Sequence, residues 1–163
     1  MRIIELIAIL IISATIQGSS GAPPFSVALR PPVGPIKAGD QVVLTAVTIN
    51  TSDHEVRFAR SFAPREEVSD YDIDIKDSEG QTPPLTEAYS RLREHPTARW
   101  GSYSTYALLP GKSFEEELIV TKLYDLNRPG KYTVSVLRGQ RSTWQTQGKA
   151  AVRSNTITIT VAK

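Results

Sequence analysis

At 163 residues, with 40% hydrophobic and 22% charged residues, the chain has the composition of one globular domain with a packed core rather than of a disordered tail. A formal net charge of +2 argues against nucleic acid as a partner, and zero cysteines exclude disulfides, thiolate metal centres, iron–sulfur clusters and a cysteine nucleophile. Two histidines, His54 and His95, are too few for a site built from several imidazoles within one chain.

Residues 1–22 read as a secretory signal peptide. Arg2 precedes an apolar run from Leu6 to Ile12, and the small residues Gly18, Ser19, Ser20, Gly21 and Ala22 follow it. The run is shorter than the roughly 20 residues that a membrane-spanning helix needs. No stable membrane span is therefore expected after cleavage, and the mature domain, 23–163, is expected to be secreted or periplasmic. Removing 1–22 takes away Arg2 and Glu5, one charge of each sign, so the net charge is unchanged.

From Phe25 onward, short segments alternate in hydrophobicity with a period of two and are separated by Gly, Pro, Asn and Asp, the pattern of half-buried strands joined by turns. A short strand is expected at 25–29. Residues 42–49 are apolar on both faces, and their β-branched content and the turn residues Asn50-Thr51-Ser52-Asp53 assign them to a central strand. Asn50-Thr51-Ser52 also fits a glycan acceptor pattern, but Asn50 reads as turn chemistry. Another short strand follows at 55–60. Next, Tyr71, Ile73 and Ile75 alternate with Asp70, Asp72 and Asp74.

A long connection over 81–104 interrupts the alternation. Within it Leu85, Ala88, Tyr89 and Leu92 fall at helical spacing, after Thr82-Pro83-Pro84 as a start and before His95-Pro96 as a stop, which predicts a short helical insertion. Strands resume at 105–109 and again where Phe114, Leu118 and Val120 alternate with Ser113, Glu115 and Glu117. In the last two, Tyr132, Val134 and Val136 alternate with Lys131, Thr133 and Ser135, and Ile157, Ile159 and Val161 with Thr156, Thr158 and Thr160. Turns at 38–40, 77–80, 110–112 and 129–131 each hold a glycine where a positive φ is expected. Eight candidate strands without regular strand–helix alternation predict an all-β fold, an immunoglobulin-like antiparallel β-sandwich of seven to eight strands.

Leu123-Tyr124-Asp125-Leu126, followed by Arg128-Pro129-Gly130-Lys131-Tyr132, resembles the E–F corner of immunoglobulin-like modules in secreted bacterial proteins. In such corners a proline-glycine turn feeds a strand whose early tyrosine is buried and returns a hydrogen bond to the corner backbone. Asp125, Pro129, Gly130 and Tyr132 are the corner residues on this reading. Together with Asn50-Thr51-Ser52, Asp72-Ile73-Asp74-Ile75-Lys76-Asp77 and Leu109-Pro110-Gly111-Lys112-Ser113, the order is similar to bacterial proteinase-inhibitor domains of the BsuPI type, over most of residues 40–137. The resemblance implies an immunoglobulin-like fold and an alternative function as a proteinase inhibitor. It supplies no inhibitory loop residue.

Candidate sites follow from residue chemistry. Asp70, Asp72 and Asp74, with Asp77 and Glu79, could suit calcium or a glycosidase pair, but strand aspartates stand too far apart to converge and read as a solvated face. No metal and no cofactor is expected. Arg91, Arg93 and Arg99, beside Glu94-His95, form a small basic cluster in the insertion, read as a solvated helix face or a contact for an anionic partner. Ser102, Ser104 and His95 lack the aspartate and strained turn of a hydrolase, so no catalytic residue is assigned. The stretch 138–149 reads as a polar loop joining the last two strands. At its tip Trp144, flanked by Arg141 and Gln145, reads equally as a recognition residue or as a plug folded back on the sandwich, with Trp100 and Arg99 as a second contact or an anchor for the insertion. The expected function is a secreted, non-catalytic module that binds a protein or cell-envelope partner through loops at the end of the sandwich.

Overall fold

A computed structural model describes residues 22–61, 70–94, 103–139 and 151–163. Among the described residues, ten strands and one α-helix follow in chain order: β1 (Phe25–Arg30), β2 (Ile36–Lys37), β3 (Val43–Asn50), β4 (Val56–Ser61), β5 (Tyr71–Lys76), α1 (Glu87–Glu94), β6 (Tyr103–Leu108), β7 (Ser113–Ile119), β8 (Gly130–Gly139), β9 (Ala151–Arg153) and β10 (Ile157–Ala162). One sheet has the order β1-β3-β7. A second has β2-β10-β8-β5, with β9 also paired to β8, and β4 and β6 form a separate ribbon. Every pairing is antiparallel except that of β2 with β10. The chain is an all-β sandwich, with β1, β3 and β7 in one layer and β2, β10, β8 and β5 in the other.

Side-chain alternation explains the two layers. In β1, Phe25, Val27 and Leu29 are buried while the residues between them are not. From the facing sheet Tyr132, Val134 and Val136 of β8 meet Ile159 and Val161 of β10 in the same core cluster. Side chains of this size each contribute about 1.5–3 kcal/mol when fully buried, so the inward rows outweigh any local preference of the strands. The two strands beyond the eight expected ones are short. β9 and β10 are one strand interrupted at Ser154–Thr156: Arg153 pairs with Leu137 and Ile157 with Val134, so four steps on one strand oppose three on the other, a β-bulge. The bulge frees Asn155 to reach the other sheet, where its Oδ1 accepts from Leu29 N (2.7 Å) and its Nδ2 donates to Leu29 O (3.0 Å).

Turn chemistry departs from expectation in two places. Gly39, Gly80 and Gly111 have the positive φ that the turns require, but Gly130 does not; it already belongs to β8, opposite Val161. The reversal is made earlier, where Asp125 Oδ1 accepts from Asn127 N (3.0 Å). Nor does the helix start at the prolines. Residues 84–86 run extended beside the corner, with Asp125 N donating to Pro84 O (2.8 Å), Thr86 N to Leu123 O (2.9 Å) and Leu85 bridged to Tyr124. Thr86 is the cap, its hydroxyl accepting from Tyr89 N (3.2 Å). Asn50 is a buried turn residue. Its Nδ2 donates to His54 O (2.8 Å) and Leu108 O (2.7 Å), and its Oδ1 accepts from Ser52 N (2.9 Å), tying the start of β4 to the end of β6.

Candidate functional site

The inward row of β8 does not stop at Val136. Leu137 and Arg138 continue the strand, and Arg138, on the same face as Tyr132, Val134 and Val136, is only 1% exposed. The expectation that 138–149 is all loop is therefore corrected at its first two residues: Arg138 pairs with Tyr71 and Val152, and Gly139 with Ala151. An arginine at a core position needs both a counter-charge and polar partners, because an unpaired buried charge costs several kcal/mol.

β7 supplies the counter-charge by the same parity. Phe114, Glu116 and Leu118 face inward, and Glu116 stands opposite the small, fully buried Ala46 of β3, which leaves space for the longer side chains. Arg138 Nη1 donates to Glu116 Oε2 at 2.8 Å, and Nη2 donates to the hydroxyl of Tyr106 at 2.9 Å. Three rings surround the guanidinium, with its Cζ 4.4 Å from the centroid of Tyr71, 4.9 Å from Phe114 and 5.0 Å from Phe58. Each desolvated cation–π contact contributes about 2 kcal/mol, so three rings together match the loss of about 3–5 kcal/mol when a buried pair is broken, and the ion pair and the rings hold the geometry jointly. Arg138 Nε remains buried without a hydrogen-bond acceptor.

The rings also pack on one another and join the β4–β6 ribbon to the β1-β3-β7 sheet. Phe58 of β4 lies 5.1 Å from Phe25 of β1, 5.7 Å from Tyr106 of β6 and 5.8 Å from Phe114 of β7. The hydroxyl of Tyr71 shares a 2.9 Å hydrogen bond with Thr48 Oγ1 of β3, across the sandwich. Burial works against the Arg138 charge, but Tyr71, Tyr106 and Glu116 more than offset it and hold its pKa above the usual guanidinium value. Burial likewise pushes the Tyr71 phenol up to about 12 and raises that of Tyr106, the nearby Arg138 only partly opposing it.

The Tyr71 shift has a consequence for stability at high pH. Because the folded pKa lies above the unfolded value of 10.0, this contribution is complete below pH 10 and is lost as pH rises toward 12. The loss expected from this group is about 3 kcal/mol. Urea unfolding of the protein and of Tyr71→Phe at about pH 9 and pH 12 checks it. The variant should lose less stability across that interval; equal losses would assign the alkaline sensitivity elsewhere.

The cluster lies at the strand ends from which three connecting segments continue. Tyr71, which follows residues 62–69, pairs directly with Arg138; Gly139 pairs with Ala151 across 140–150; Ser61 pairs with Tyr103, joining 62–69 to 95–102. Trp100 and Arg99 fall in 95–102, and Arg141, Trp144 and Gln145 in 140–150, outside the described residues. His95 and Ser102 also lie outside, as do residues 1–21 of the expected leader. Among the described residues no helix is long and apolar enough to cross a membrane.

The remaining candidates are placed by the structure. Tyr132 is buried and donates from its hydroxyl to Arg128 O at 2.7 Å, while Pro129 and Gly130 lead into its strand. Asp74 accepts from Arg153 (3.2 Å), and Asp77 accepts from Glu79 N (3.0 Å) and Gln81 N (2.8 Å), so each serves a local contact. No group of three or more His, Cys, Asp or Glu able to hold a metal occurs among the described residues. Arg91 is paired with Glu87 on exposed α1. The residues missed in the sequence are Arg138 and Glu116, whose signal is parity: opposite charges at core-facing positions of two strands. No protein-family model matches the chain, and no curated protein matches it, so function is argued from this geometry.

Proposed function

We propose that the chain is a secreted, non-catalytic immunoglobulin-like module that binds a protein or cell-envelope component through the loops at the Arg138 end. The observation that supports this reading is the convergence of strand ends on one rigidly packed cluster. Residues 62–69 and 140–150 follow or precede the strand ends at this cluster, and a binding segment works best when its base is held. The Arg138–Glu116 pair and its rings hold the base of the segment that contains Trp144 and satisfy each other's charges, which suits a scaffold rather than a reactive group.

The test is binding of the purified protein to envelope fractions before and after Trp144→Ala, with thermal unfolding as a control. Loss of an aromatic anchor should weaken binding by about 30-fold or more, equivalent to about 2 kcal/mol, at unchanged melting temperature. Equal binding by both forms would remove the loop from the account. Titration against secreted serine and metalloproteases separates the alternative suggested by the BsuPI-type resemblance, since stoichiometric inhibition would replace this reading.

A further inference from the structure

The outer edge of β10 is open along its first half. Ala38 N donates to Ala162 O at 2.9 Å, so the backbone groups of Ala162 face away from β8, and by strand alternation those of Thr160 and Thr158 do too. β2 pairs only with Val161 and Ala162. The N–H and C=O of Thr158 and the N–H of Thr160 therefore meet no strand among the described residues. The neighbouring run Pro31-Pro32-Val33-Gly34-Pro35 crosses between the sheets here without pairing as a strand, and its prolines have no N–H to offer Thr158 O. Between this run and β10 lies a groove of about 310 Å³, lined by Pro31, Pro32, Pro35, Ile36, Thr158 and Thr160, with Val33 fully exposed beside it.

The opposite edge of that sheet is treated differently. On β5, the Tyr124 hydroxyl donates to Ile73 O at 3.0 Å and occupies an outward carbonyl. Around β10 the chemistry is basic instead. Lys37 stands opposite Ala162, Lys131 opposite Thr160, and Lys163 follows the strand, and none of the three forms an ion pair with a described residue. Like charges at an edge oppose pairing with a second copy and favour an acidic guest.

We propose that β10 accepts an extended acidic segment of a partner protein as an added strand. The guest's backbone would pair with Thr158 and Thr160, with an apolar side chain over the proline-lined groove and carboxylates alternating toward the lysines. This site is independent of the Trp144 loop.

A suitable probe is the end-blocked heptapeptide Glu-Val-Glu-Val-Glu-Val-Glu, followed by amide hydrogen exchange and fluorescence polarisation on the purified protein. Exchange at the Thr158 and Thr160 amides should slow by about tenfold or more at saturation. Thr158→Pro removes an outward N–H without touching the β8 ladder and should weaken binding by about tenfold or more, while Trp144→Ala leaves it unchanged. A peptide N-methylated on its pairing edge supplies the same test without altering the protein and should bind as weakly as the wild-type peptide binds Thr158→Pro. Unchanged exchange at the two amides, equal binding of the N-methylated peptide, or sedimentation showing a second copy on this edge would each overturn the proposal.

Discussion

Replacing Glu116 with alanine is expected to lower the unfolding free energy by about 3–5 kcal/mol, the effect of stranding one member of a buried ion pair. The size follows from which charge is left behind. Arg138 is 1% exposed and enclosed by Phe58, Tyr71 and Phe114, so without the carboxylate its guanidinium keeps the hydrogen bond to Tyr106 but loses the charge paired with it. Removing both charges should do far less harm. Arg138→Met combined with Glu116→Leu fills similar volume without any ion to desolvate, and such replacements are often neutral or stabilising. Urea unfolding of the three proteins at one ionic strength checks the order. A double variant as unstable as Glu116→Ala would mean that packing, not charge, governs the site.

Phe58→Ala is expected to destabilise by a similar amount, about 3–5 kcal/mol, for a different reason. Phe58 is 1% exposed and its ring touches those of Phe25 and Phe114 from the β1-β3-β7 sheet and Tyr106 from its own ribbon, besides lying under Arg138 of the other sheet. Truncation leaves a cavity that two sheets and the β4–β6 ribbon cannot close together. It also removes one of the rings around the cation, so a lost cation–π contact adds to the cost of the cavity. Phe58→Leu keeps most of the volume and should lose no more than about half as much. Comparable losses in the alanine and leucine variants, read from thermal unfolding, would show that the aromatic contacts rather than the filled volume dominate.

The strands were legible because burial enforces the alternation that reveals them: Phe25, Val27 and Leu29, or Tyr132, Val134 and Val136, show in their order which face meets the core. Arg138 was hidden by the same logic, since a charged residue ends an apolar pattern and joins a polar stretch that reads as loop. Position parity would have found it, with Glu116 between Phe114 and Leu118 as its mirror. The start of α1 was not readable locally. Thr82-Pro83-Pro84 carries a start signal, but pairing of Leu85 with Tyr124 draws these residues into an extended path, a decision made by segments far apart in the chain. The bulge that sends Asn155 to Leu29, and the edge left open on β10, depend on register, which composition does not encode. Of the proposed recognition segment the sequence offers only residue chemistry: Trp144, Arg141 and Gln145 lie outside the described residues.

The measurement closest to the central claim is nitrogen-edited NMR of the arginine side chains at neutral pH. If Arg138 is a charged core residue boxed by Phe58, Tyr71 and Phe114, its guanidinium protons will be ring-shifted and will exchange far more slowly than those of Arg30, whose side chain is 60% exposed. Arg138 signals with the shifts and exchange rates of Arg30 would contradict the buried pair and the scaffold built on it.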